Sequence, residues 1–238
     1  MSKRNKLQKF AEMLTFPNVY ENFHAKKPSL THLGEEEVNR KGQWNKLHFR
    51  TEKPITLELA CGRGEYTLEL ARRYPNRHFI GVDIKGARLW KGARTALDED
   101  LHHVAFLRTR IEYLHHFFAP AEIDEIWITF PDPFPRKSKA NRRLSSDFFL
   151  DIYRKILRPK GLIHLKTDDP GLYEFSLETW QNASDIHMLY ADSDIYKKDL
   201  PFPELNIQTY YEKMHLAEGR KIKYLRAQWI PQTSKQKT

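Results

Sequence analysis

The sequence predicts an α/β fold, a mostly parallel seven-stranded sheet with helices on both faces. Three observations predict it. Apolar runs of strand length alternate with segments of helical period from residue 55 onward. A pair of glycines closes the first apolar run and opens a helical stretch, the arrangement that lets a backbone approach a ligand. Acidic residues recur at the ends of successive strands, the edge at which open α/β sheets bind their ligands.

Taken in order, strands are expected over 55–60, 78–83, 103–107, 123–130 and 161–167, and helical segments over 65–74, 87–98, 111–118, 146–157 and 171–181. Strands over 186–191 and 222–229 complete the seven. Residues 1–50 differ in character. They are basic at the start (Lys3, Arg4, Lys6, Lys9), dotted with Phe10, Phe16, Tyr20, Phe23 and Trp44, and carry no strong strand pattern. They read as a basic N-terminal extension with a short helix around 6–14. Residues 51–230 form the main domain and 231–238 a polar tail.

Lys plus Arg exceed Asp plus Glu by 40 − 31, a net charge of +9, which favours a polyanionic partner such as nucleic acid. A single cysteine excludes an internal disulfide framework. No apolar stretch approaches the length of a membrane span or signal peptide, so the cytoplasm is the expected compartment. The histidine pairs His102-His103 and His115-His116 lack ligand spacing, and no metal is expected.

The first strand and its turn read Leu57-Glu58-Leu59-Ala60-Cys61-Gly62-Arg63-Gly64. About twenty residues on, the second strand ends in Asp83, an acid placed to bind two ribose hydroxyls. A dinucleotide fingerprint would require a third glycine where Thr67 stands, and a pyrophosphate is poorly served by Glu58. S-adenosyl-L-methionine, with a ribose, an α-amino group and a sulfonium, suits the two acids better. Glu58, Gly62, Gly64 and Asp83 are therefore the candidate cofactor-binding residues. A partly buried Glu58 satisfied by loop N–H groups is the alternative.

The fourth strand runs into Phe130-Pro131-Asp132-Pro133-Phe134-Pro135-Arg136. Each proline removes a backbone donor and fixes φ, so the strand cannot continue and Asp132 has few local N–H groups to neutralise it. The chain then turns basic, with five cations and no acid from Arg136 to Arg143. Beside a pocket such cations would hold phosphates on either side of a target nucleotide; alone they are a solvated face. Thr109-Arg110 ends the third strand and Lys166-Thr167-Asp168 the fifth, so five strand ends converge on one rim. Thr209-x-x-Glu212 is both a capping box and a possible substrate contact.

Phe130 to Arg136, followed by Lys139-Ala140-Asn141-Arg142-Arg143, with the glycine loop upstream and Thr167-Asp168 and Thr209-Tyr210-Tyr211-Glu212 downstream, closely resembles the bacterial tRNA (guanine-N7-)-methyltransferases. The resemblance spans about residues 55–229. It implies a class I methyltransferase, Rossmann-like fold and a monomeric or homodimeric enzyme that moves a methyl group from S-adenosyl-L-methionine to N7 of a variable-loop guanosine in tRNA. By position it puts Glu58, Asp83 and Asp132 on the cofactor side, with Asp132 catalytic. Arg136, Asp168, Thr209, Tyr210, Tyr211 and Glu212 meet the substrate. Where the family has Asp-Ala after the third strand, this chain has Arg110-Ile111, so adenine contact at Arg110 falls to backbone groups.

Three other readings compete. An exocyclic-amine methyltransferase would carry an Asn/Asp-Pro-Pro-aromatic signature, whereas a single proline separates Asp132 from Phe134. A nicotinamide oxidoreductase lacks a reason for the basic lip. A non-catalytic RNA-binding module leaves Glu58, Asp83 and Asp132 without a role.

Overall fold

A computed structural model describes residues 5–232; Lys3, Arg4 and the polar tail from residue 233 lie outside the described residues. The chain opens with α1 (Lys6–Met13), whose Asn5 side chain accepts from the Gln8 amide while Gln8 reciprocates, a capping box. Three short strands follow, β1 (Val19–Glu21), β2 (Leu30–His32) and β3 (Glu35–Val38). The alternating part comprises β4 (Ile55–Leu59), α2 (Glu65–Arg73), β5 (His78–Asp83), α3 (Gly86–Asp98), β6 (Val104–Arg108), α4 (Leu114–Phe117), β7 (Ile123–Thr129), α5 (Asp147–Arg154), β8 (Leu157–Thr167) and α6 (Pro170–Asn182). It closes with β9 (Ile186–Asp192), α7 (Tyr210–Ala217) and β10 (Lys223–Trp229).

Among the described residues one sheet holds ten strands in the order β3-β2-β1-β6-β5-β4-β7-β8-β10-β9. The seven expected strands are there, and residues 19–38 add three more. The segment read as lacking strands thus extends the sheet: β1 pairs parallel to β6, with Val19 opposite Phe106, and β2 turns back against β1. From β1 to β8 along the sheet the neighbours are parallel, and β10 inserts antiparallel between β8 and β9. The reversal at β4, where the chain order changes direction, puts a crevice above that strand's carboxyl end.

Every residue of β4 and β5 is buried, as strands covered on both faces must be. Leu70, Leu89 and Ala93 of α2 and α3 close one face together with Met13 of α1; Leu150, Tyr153, Leu172 and Trp180 of α5 and α6 close the other. The helix expected over 111–118 is shorter than its apolar pattern suggested, a 3-10 turn at Ile111–Tyr113 followed by four residues of α-helix.

Candidate active site at the strand ends

Beyond β4 the chain turns through Ala60 (φ 57°), Gly62 (φ 58°) and Gly64 (φ 68°), all in the left-handed region. The turn is locked by Cys61 N–H donating to the Val82 carbonyl at 3.0 Å and Gly64 N–H to the Cys61 carbonyl at 2.8 Å. Gly64 is the N-cap of α2, and a Cβ there would stand 2.6 Å from the ring of Phe106. At Gly62 the same construction meets open space. The two glycines therefore serve different ends: Gly64 lets the helix sit down on the sheet, and Gly62 leaves room above it.

Asp83 is buried against this loop. Its Oδ2 accepts from Gly62 N–H at 2.8 Å and its Oδ1 from Lys85 N–H at 2.7 Å, so the acid that ends β5 fixes the loop that ends β4. Glu58 is also buried. Its Oε1 accepts from the Thr129 hydroxyl at 2.7 Å, and its Oε2 from the Thr67 amide at 2.8 Å and the Thr67 hydroxyl. Burial outweighs these three donors and pushes the Glu58 carboxyl up to about 7, with the Asp83 charge adding in the same direction.

Two cavities open at this edge and share Ala60. The smaller, about 80 Å³, is bounded by Glu58, Gly62, Arg88, Thr129, Phe130 and the segment 209–211. The larger, about 450 Å³, is walled by Arg110-Ile111-Glu112 on one side and by Asp132, Phe134, Arg142 and Phe148 on the other. A volume of that order falls within the usual range for small-molecule sites. Asp132 is solvent-exposed in it, while Phe148 offers a half-exposed ring. Both phenylalanines flanking the Pro131-Asp132-Pro133 sequence are left-handed, Phe130 at φ 47° and Phe134 at φ 42°, a costly conformation for a non-glycine residue.

The remaining expected site residues divide. Arg110 faces the larger cavity but its guanidinium pairs with Glu112 at 3.0 Å. Arg136 is exposed beside the 3-10 segment Lys137–Arg142. Asp168 lines neither cavity; it accepts from Arg220 at 2.8 Å and lies 3.3 Å from His215 Nδ1. Thr209 caps α7, accepting from Glu212 N–H at 3.3 Å, and Tyr210 and Tyr211 are exposed at the smaller cavity. Glu212 does not face a ligand. It has no exposed surface and pairs at 2.7 Å with Lys166, so in this structure it anchors the segment that carries Thr209 to Tyr211 at the smaller cavity. Arg143, counted among the phosphate-holding cations, is likewise buried, donating to the Pro133 and Phe134 carbonyls.

Lys166 ends its strand as expected but is buried and paired there, and Tyr196, which no sequence pattern singled out, joins it. Lys166 Nζ donates to the Leu205 and Ile207 carbonyls, each at 2.9 Å, and the Tyr196 hydroxyl donates to Glu212 at 2.8 Å. A signal for the lysine existed in Leu162-Ile163-His164-Leu165-Lys166, where a cation closes an apolar strand and must find a carboxylate when buried.

The fold recurs in solved methyltransferases. The 16S rRNA methyltransferase KamB superposes with a TM-score of 0.59 at 13% identity, over 83% of this chain and 97% of that one. Geranyl diphosphate C-methyltransferase from Streptomyces coelicolor gives 0.52 at 15% identity, over 79% and 74%. The sheet and its helices are those of the class I methyltransferase fold. Residues 52–225 match the family model described as "Putative methyltransferase". The tRNA (guanine-N(7)-)-methyltransferase of Christiangramia forsetii is 44% identical over 227 residues, 95% of this chain and 98% of that protein. The proteins of the same name from Bacteroides thetaiotaomicron and Porphyromonas gingivalis are 42% and 45% identical, over 94% and 90% of this chain and 85% of each relative. The chain belongs to the tRNA (guanine-N7-)-methyltransferase family.

Proposed function

We propose that this protein transfers a methyl group from S-adenosyl-L-methionine to N7 of a guanosine in the variable loop of tRNA. Near-full-length identity of 44% to a tRNA (guanine-N(7)-)-methyltransferase is the observation that carries the reading. The site's chemistry supports it: the acids at the strand ends suit a cationic donor, and the cavity beside them carries an exposed carboxylate and three aromatic rings. We assign the catalytic domain to 51–230, with 1–50 as an extension of its sheet, and the enzyme to the cytoplasm as a monomer or homodimer. Among the described residues no helix is long and apolar enough to cross a membrane.

The open space over Gly62 and the acids Glu58 and Asp83 fit S-adenosyl-L-methionine. When bound it supplies an electrophilic methyl on a positively charged sulfur. Glu58 meets the donor's amino end, Asp83 its ribose hydroxyls, and the backbone at Arg110-Ile111 its adenine. Guanine N7 already presents an in-plane lone pair, so no residue need act as a general base. What the chain contributes is alignment, and negative charge beside a purine that becomes cationic. Asp132 supplies that charge, and the rings of Phe134 and Phe148 hold the base. Arg136 and the exposed cations after it take the flanking phosphates, with Asp168 and Thr209 to Tyr211 completing the rim.

Calorimetric titration tests the donor half of the reading. Binding of S-adenosyl-L-methionine with no binding of a nicotinamide dinucleotide is expected; the reverse would overturn it.

A further inference from the structure

We propose that Arg143 is a positioning residue for the Asp132 carboxylate, acting on the proline loop rather than on RNA. The inference rests on the proposed function for what Asp132 does, but not for how the loop is held. Arg143 is 8% exposed although it closes a run of otherwise exposed cations. Its Nε donates to the Pro133 carbonyl at 3.0 Å and its Nη2 to the Phe134 carbonyl at 3.1 Å. The guanidinium lies 4.4 Å from the centroid of the Phe175 ring on α6. Prolines at 131, 133 and 135 remove every second backbone donor of this loop, leaving it few turn hydrogen bonds of its own.

Two anchors hold it instead. Upstream, Phe130 N–H donates to the Lys166 carbonyl at 2.8 Å; downstream, the forked guanidinium takes two successive carbonyls. Between them both phenylalanines are held left-handed, a state that persists only where the surroundings impose it. Among the described residues the Asp132 carboxylate has no hydrogen-bond partner, so its place in the cavity is set by this backbone alone. A lysine carries the same charge but lacks the planar fork that sets a separate N–H on each carbonyl while stacking on the Phe175 ring.

The test compares Arg143→Lys with wild type in methyl transfer, donor binding and hydrogen exchange, with Phe175→Leu as a second variant should Arg143→Lys fail to fold. Arg143→Lys is expected to lower kcat by about 10- to 100-fold, the loss typical of a displaced catalytic group. Donor stoichiometry, KM for tRNA and the salt dependence of tRNA binding stay within about threefold of wild type. In the free protein the Phe130 amide exchanges faster. Phe175→Leu shows the same pattern in smaller degree. Wild-type kcat and wild-type exchange in the variant would overturn the inference, as would a loss confined to KM with a reduced salt slope, the mark of a phosphate contact. Absence of methyl transfer to tRNA by the wild type would sink the functional reading instead, and the exchange measurement would still judge Arg143.

Discussion

Lys166 at the end of β8 and Glu212 in the first turn of α7 form an ion pair of 2.7 Å in which neither side chain has exposed surface. Burial lowers the Lys166 ammonium and raises the Glu212 carboxyl from their ordinary ranges, each opposed by the partner's charge. The pair ties the helix that presents Tyr210 and Tyr211 to the sheet. Removing one partner strands the other, so Glu212→Gln should destabilise the protein by about 3–5 kcal/mol. Lys166→Met combined with Glu212→Leu should cost less than the two single changes summed. Chemical denaturation of the three variants measures this coupling.

In its proposed role at the donor's amino end, Glu58 should make donor binding pH-dependent. Its folded-state carboxyl titrates at about 7, above its ordinary value of 4.5, so the folded protein holds a proton between these limits that the unfolded chain has lost. The stability linked to that proton is full below 4.5 and lost as pH rises through about 7. The ligand effect runs the other way, because a cationic donor needs the ionised acid. Affinity for S-adenosyl-L-methionine should rise as pH passes through neutrality, and Glu58→Gln should flatten that rise. Calorimetry on either side of neutrality checks both.

Gly62 and Gly64 separate binding from folding. Gly64→Ala puts a Cβ into the Phe106 ring at 2.6 Å with φ at 68°, and should cost about 2–4 kcal/mol of stability. Gly62→Ala meets no neighbour, should cost about 1–2 kcal/mol, and instead intrudes on the smaller cavity. Thermal melts beside donor titrations should show the first variant losing stability and the second losing affinity.

In the proposed function the exposed cations of the 136–142 segment act on RNA by charge. Arg136→Ala and Lys139→Ala should each weaken tRNA binding uniformly across tRNA species and lower the salt slope by about 1, with kcat at saturating tRNA little changed. Filter binding at several salt concentrations reads this directly.

The seven main strands were legible because β-branched and aromatic runs alternate with helical periods, and a buried parallel strand such as Phe79-Ile80-Gly81-Val82 leaves little doubt in a sequence. β1 escaped notice because three residues, Val19-Tyr20-Glu21, carry no period; its pairing with β6 is a tertiary event. The strand-end acids were legible for the same reason as the strands. Two roles were not. Arg143 looks like its neighbours in a basic run, and only burial separates it from them. Glu212 sits at capping-box spacing from Thr209, and the Thr209 half of that box forms while the Glu212 carboxylate turns inward to Lys166. Spacing fixes which residues share a helical turn, not which buried partner a side chain finds.

In the proposed reaction Asp132, exposed between two left-handed phenylalanines, assists methyl transfer to a guanine in tRNA. The direct measurement incubates wild-type protein and Asp132→Asn with labelled S-adenosyl-L-methionine and unmodified tRNA, and maps the product by mass spectrometry. Wild type should yield N7-methylguanosine in the variable loop, and Asp132→Asn should lose about 100-fold or more in rate with tRNA affinity nearly unchanged. Unmethylated tRNA with the wild type, a methyl group at another position, or equal rates for the two proteins would contradict the account.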